Sequence, residues 1–243
     1  MIEQASAKIF LSAERGHNES VAFRSYSTFN FGKYFNSNKE AFGALYVLND
    51  DTIAGGCSAK MVMDRDCYIV FIPLVGGIDY SDSMGDSFYI SAGEVFMLHA
   101  PRGLVIALTN PYEDAMVNYL HLRVDMKAYT QRKIPFIFSA DLEAKRNNFT
   151  EIISPVICRD PVLPFAISLA RLDGRTDALY TLRDAFATER GLRHDAMGDR
   201  SRGALQRGGL AHDADRCLRQ RRGRQCPRLE RGLRKLCLRG AGE

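Results

Sequence analysis

The apolar positions of this chain recur in short runs with a period of two, not in the 3.6-residue stripes of amphipathic helices. The stretch "AFGALYVLND" (41–50) alternates apolar and small residues and stops at a polar Asn-Asp-Asp. The stretch "CYIVFIPLV" (67–75) is an unbroken apolar run that ends at Gly76-Gly77. A polar turn around Gly85, "SDSMGD", leads into "SFYISAGEVFMLHA" (87–100), two strand pieces about an Ala92-Gly93 corner. "GLVIAL" (103–108) and "VNYLHLRVD" (117–125) follow, the second with clean alternation. Strands spaced every ~8–12 residues with Gly-rich turns predict an all-β fold, an antiparallel barrel or sandwich. The acids of "DYSDSMGD" do not make a calcium loop, because Ile90 stands where the closing Glu is required. A hairpin turn is the expectation there.

A chain of 243 residues with 46% apolar content can bury a sizeable core. It has no apolar run of the ~18 residues a membrane-spanning helix needs. The opening "MIEQASAKIFLSAERG" has too short an apolar stretch, flanked by charge, for a secretory signal. The expected location is the cytoplasm, with no membrane partner. The six cysteines form no Cys-x-x-Cys pair, which fits reduced thiols, many of them buried. A redox role for Cys57 or Cys67 is the lesser alternative. Dinucleotide, P-loop, nucleophile-elbow and zinc-protease motifs are all missing, so the chain offers no catalytic residue by motif.

The net charge of +4 is unevenly spread. Residues 184–243 carry 15 Lys and Arg against 8 Asp and Glu, whereas the preceding body is mildly acidic. Phe186 is the last aromatic residue, and Val, Ile, Tyr and Asn are absent after it. Arg, Gly, Ala and Leu dominate, in runs such as "RCLRQRRGRQCPRLERGLRKLCLRGAGE". A nucleic-acid arm ordinarily mixes Lys with Arg and interleaves aromatics. This composition instead suits an out-of-frame translation of GC-rich coding sequence, a frameshift that truncates whatever domain was under way. An Arg-rich nucleic-acid arm and a disordered solubilising tail are the competing readings. A zinc site from Cys217, Cys226, Cys237 and His212 lacks paired-ligand spacing.

The segment "FRSYSTFNFGKYFNSNKEAFGALYVLNDDTIAGG" (23–56) resembles the N-terminal signature of the pirin family, through Tyr26, Thr28, Phe29, Phe31, Tyr34, Phe42, Gly43, Leu45, Val47, Leu48, Asn49, Asp51 and Gly55. "IPLVGGIDYSDSMGD" and "SAGEVFMLHAPRGLVIALTN" resemble the family's next two motifs. "NNFTEIISP" (147–155) and "FAISLARLDGRTDALYTL" (165–182) look like the opening of its second cupin domain. The likeness spans about residues 8–182. It implies a tandem bicupin of two antiparallel β-barrels, jelly-roll-like in kind, with the second incomplete. The implied organisation is a cupin barrel over 1–130, a linker and the start of a second cupin over 131–183, and the aberrant tail over 184–243, without structure.

Family members hold iron or another divalent metal with three His and one Glu, and some are linked to quercetin dioxygenase activity. Carried over on the "IPLVGG" anchor, the first two His slots fall on Val62 and Asp64. The remaining His and Glu slots fall on Ile106 and Leu108, inside a frame that keeps Pro101, Gly103 and Asn110. Of these four, only Asp64 can donate, and it can equally be a hairpin residue of "DRD" pairing with an Arg. His99 lies outside the slots, and His17 and His121 are isolated. Val62, Asp64, Tyr68, Ile106 and Leu108 are therefore the expected pocket lining, with no metal and no cofactor. The expected role is binding a small apolar ligand or a partner protein. A metal-dependent oxidoreductase of the quercetin 2,3-dioxygenase kind is the enzymatic alternative, and nucleic-acid binding through the tail a third. An incomplete second barrel leaves sheet edges bare, which predicts self-association.

Overall fold

A computed structural model describes residues 10–126, 135–139, 145–174 and 233–240. Among these residues the chain is strand and turn, apart from one short 3-10 turn at Ser12–Glu14. No helix among them is long and apolar enough to cross a membrane. The contacts divide the chain into two units, with the boundary between Ala140 and Asp141.

The first unit contains β1 (Gly16–Glu19), β2 (Phe23–Ser27), β3 (Leu45–Ile53), β4 (Ser58–Val62), β5 (Cys67–Val75), β6 (Ile78–Asp82), β7 (Ser87–Ile90), β8 (Glu94–Ala100), β9 (Val105–Thr109), β10 (Val117–Asp125) and β11 (Phe136–Ser139). They form a seven-stranded sheet in the order β1-β2-β3-β10-β5-β8-β11 and a four-stranded sheet in the order β4-β9-β6-β7. Every ladder is antiparallel. The two sheets pack on each other through Ile69, Phe71, Phe96 and Leu98 on one side and Ile78, Tyr80, Ile106 and Leu108 on the other. Among the described residues no ladder joins the sheets, so the barrel is open. β11 lies in the stretch expected to be linker. It pairs with β8 from Phe136↔Met97 to Ser139↔Glu94, so the first unit runs past residue 130.

The unbroken apolar run of β5 has a direct consequence. Cys67, Ile69 and Phe71 face the core between the sheets, while Tyr68, Val70 and Ile72 on the opposite face are buried too. A strand shielded on both faces needs no polar alternation. The run stops at Gly76, whose φ of +70° suits glycine. A β-carbon there would sit 2.8 Å from the Val117 side chain. The "SDSMGD" segment is the β6–β7 hairpin turn. Asp82 Oδ1 accepts the Met84 and Asp86 amides at 2.8 and 3.3 Å, and the Tyr80 hydroxyl donates to Asp82 Oδ2 at 2.7 Å. The acid is spent on the turn.

The second unit contains β12 (Thr150–Ile153), β13 (Phe165–Leu172) and β14 (Leu233–Gly240), with β13 in the middle. Ile152, Ile153, Leu163, Phe165 and Ile167 are among its buried apolar residues. Asp173 closes the approach to β12 by accepting from Arg146 at 2.7 Å and Asn147 at 2.9 Å. β14 falls inside 184–243, a stretch expected to lack structure. It nevertheless pairs along the whole of β13, from Phe165↔Gly240 to Leu172↔Leu233. Sheet pairing is a backbone interaction, and an open edge accepts strands of many compositions. The remainder of the tail, 184–232 and 241–243, lies outside the described residues.

Phe71 is fully buried and packs against Phe96, Tyr119 and His121 with ring centroids 6.1, 6.0 and 5.2 Å away. Phe71→Ala is expected to lower the unfolding free energy by about 3–5 kcal/mol in urea titrations. A cost below about 1 kcal/mol would contradict this placement.

Candidate functional site

The four slots carried over from the pirin pattern do not share a face. Strand β4 alternates exposed and half-buried positions, and Val62 is on the outside, 60% exposed. Asp64 follows in the β4–β5 turn with its side chain 56% exposed, paired with Arg65 at 3.3 Å and near Arg123 at 3.8 Å. Ile106 and Leu108 are fully buried in the core. The ladder between β4 and β9 explains the split. Met61 stands opposite Ile106 and Ala59 opposite Leu108, whereas Val62 stands opposite exposed Val105. Directly opposed residues point to the same face, so the inward side chains are Ala59 and Met61, joined by buried Met63. The inward positions of β4 therefore lie one residue away from the slot at Val62. With a period of two, that moves a side chain to the other face.

Tyr68 is also corrected. It is buried, but on the face of β5 away from Cys67, Ile69 and Phe71, with its ring edge-on to His99 at 4.3 Å. Cys67 is inside, and its thiol donates weakly to Met63 Sδ at 3.9 Å. Burial pushes that thiol above its ordinary range, which leaves it protonated and a poor nucleophile. Cys57 and Cys67 are free thiols.

The chemistry of the interior lies on β3 and β10 instead. Arg123 is buried, and its Nε donates to His121 Nε2 at 3.0 Å. An arginine Nε always carries its hydrogen, so His121 Nε2 must be the acceptor. The ring's proton is then on Nδ1, which donates to Asp51 Oδ2 at 3.1 Å. His121 is thus a neutral imidazole of fixed tautomer, held between a carboxylate and a guanidinium. Burial, with Arg123 beside it, lowers its proton affinity below the ordinary histidine value. Arg123 reaches across to the other sheet through Nη2, which donates to Met61 Sδ at 3.3 Å. Its guanidinium also lies over the Phe31 ring at 5.5 Å. Along the sequence His121 stands isolated and Arg123 belongs to no motif. The available signal was the pair of polar residues two apart in an apolar strand, "HLR".

A metal of the family's kind needs imidazole and carboxylate donors converging on one point. The inward positions here hold an alanine, thioethers and branched hydrocarbon, and these do not fit an iron-type ion. Among the described residues no group of three or more His, Cys, Asp and Glu side chains could hold one.

Comparison with known proteins agrees with this architecture. Two open, packed antiparallel sheets are the cupin-type β fold. Two solved structures from Escherichia coli share it: YhhW has a TM-score of 0.60 at 23% identity over 72% of this chain and 74% of its own. YhaK has a TM-score of 0.52 at 22% identity, over 65% and 69%. Residues 11–124, just under half of the chain, match the family model Pirin. Among curated relatives, quercetin 2,3-dioxygenase of E. coli K12 is 35% identical over 98 residues, which is 40% of this chain and 42% of that protein. The pirin-like protein YhaK of the same strain is 31% identical over 110 residues, 45% and 46% respectively. The matches span less than half the length of these relatives.

Two measurements follow from this geometry. Ile106→Ala should cost about 2–5 kcal/mol of stability, and Val62→Ala no more than about 0.5 kcal/mol. Equal costs would show that Val62 faces inward. Because the native state favours neutral His121, the contribution of this group is complete above about pH 6.5 and declines as the pH falls below it. Thermal midpoints of the wild type should drop through this range more steeply than those of His121→Gln.

Proposed function

We propose that the first unit is a pirin-type cupin that acts as a binding module, for a small apolar ligand or a partner protein, without the family's metal chemistry. One observation carries this reading. Ile106 and Leu108 face Met61 and Ala59 across the β4–β9 ladder, where a divalent ion would require nitrogen and oxygen donors. The structural frame around them persists. Asn110 donates through Nδ2 to the Ile53, Ala54 and Ala115 carbonyls at 3.1, 3.0 and 2.7 Å, and accepts the Tyr112 amide at 2.9 Å. A preserved frame with altered lining fits a fold kept for binding.

The second reading is a metal-dependent oxidoreductase. It is favoured by the 35% identity to quercetin 2,3-dioxygenase, and E. coli YhhW has been solved in complex with nickel(II). Equilibrium dialysis of the purified full chain against Fe(II) and Ni(II), followed by metal analysis and a flavonol turnover assay, separates the two. The binding-module reading expects far less than one metal per chain and no turnover. Stoichiometric metal with turnover would establish the oxidoreductase. Installing His at Met61 and Met63 with Ile106→His and Leu108→Glu should create a nickel site. The same pair of β9 changes with Val62→His and Asp64→His should not.

A further inference from the structure

The inner face of β2, β3 and β10 carries a block of polar side chains. The registers put Ser25 opposite Asp51 and Asp51 opposite Tyr119 in one row across the three strands. Asn49 lies two residues along β3 on the same face, between Ser27 and His121. All six are buried. Among the described residues, Ser25 Oγ, Asn49 Oδ1 and Nδ2, Asp51 Oδ1 and the Tyr119 hydroxyl have no hydrogen-bond partner. Buried polar atoms are almost always paired, and each one left unpaired is destabilising. Several of them contiguous in one register point to a guest.

The charge of the block says what kind. The Asp51 side chain is 2% exposed, and its one direct partner is His121, which the Arg123 contact fixes as a neutral ring. Arg123 itself is committed to His121, Met61 and Asp64. Asp51 is therefore a buried carboxyl group whose one direct partner is a neutral ring, an arrangement that favours a cationic guest. The unpartnered atoms are predominantly acceptors: a carboxylate oxygen, an amide oxygen and two hydroxyl oxygens. Hard cations take such oxygen ligands. A divalent ion would leave excess positive charge beside a single carboxylate, whereas a monovalent ion is matched.

We propose that the Ser25–Asn49–Asp51–Tyr119 block binds a monovalent cation of the potassium or ammonium type. The site lies on a different wall from the β4–β9 positions, so it stands or falls independently of the binding-module reading. The test is equilibrium unfolding of the full chain in potassium, ammonium and sodium chlorides against choline chloride at equal ionic strength. For a site with a dissociation constant of about 10 mM, 100 mM cation lowers the apparent unfolding constant about tenfold. Asp51→Asn should abolish the difference between salts. Tyr119→Phe and Ser25→Ala should reduce it, and they carry the comparison if Asp51→Asn fails to fold. Thallous ions soaked into crystals should give an anomalous peak beside Asp51. Equal midpoints in all salts, a salt preference unchanged in the variants, or ordered water alone at that position would overturn the proposal.

Discussion

The pairing of β4 with β9, Met61 against Ile106, decides what the interior of the first unit can do. A strand presents alternate residues to opposite faces, so one register fixes the whole lining. It sends Ala59 and Met61 inward with Ile106 and Leu108, and Val62 outward with Val105. The result is a wall of hydrocarbon and thioether in the place where relatives are expected to keep metal ligands. Just past the end of β9, Asn110 binds the Ile53, Ala54 and Ala115 carbonyls.

The opposite wall follows the same rule with different residues. β10 is apolar on one face, through Leu120, Leu122 and Val124, and polar on the other, through Tyr119, His121 and Arg123. Arg123 is the residue that ties the two walls together, since it holds His121 on its own strand and reaches Met61 on the other sheet. A buried guanidinium is costly unless its hydrogens find acceptors. Here an imidazole nitrogen and a thioether sulfur accept two of them, and the Phe31 face adds a cation–π contact. The cost is borne by a network that leaves Asp51 without a direct cationic neighbour.

Fold and lining obey different constraints. At 22–23% identity the path of the backbone still follows YhhW and YhaK, because a sheet needs only the right pattern of apolar positions. A metal site needs particular atoms at particular distances. The second unit shows the permissive side of the same physics. β14 pairs with β13 despite an Arg-rich composition that carries little strand signal.

The sequence by itself determined the elements. The runs at 67–75 and 117–125 are β5 and β10 to the residue, since an apolar run between turn residues has few other ways to be buried. It also carried the resemblance to the pirin family, through side-chain motifs that keep their order along the chain. What it could not determine was the face on which a residue lies near the ends of strands. Val62 and Asp64 were counted inward and are outside, and β4 itself, with its mixed "SAKMV", gave no alternation clear enough to set the phase. The Asp51–His121–Arg123 chain was invisible for a related reason. Its members are 70 and 2 residues apart, and only the pairing of β3 with β10 brings the first of them to the others. Period can be read along one strand, but register is a property of two.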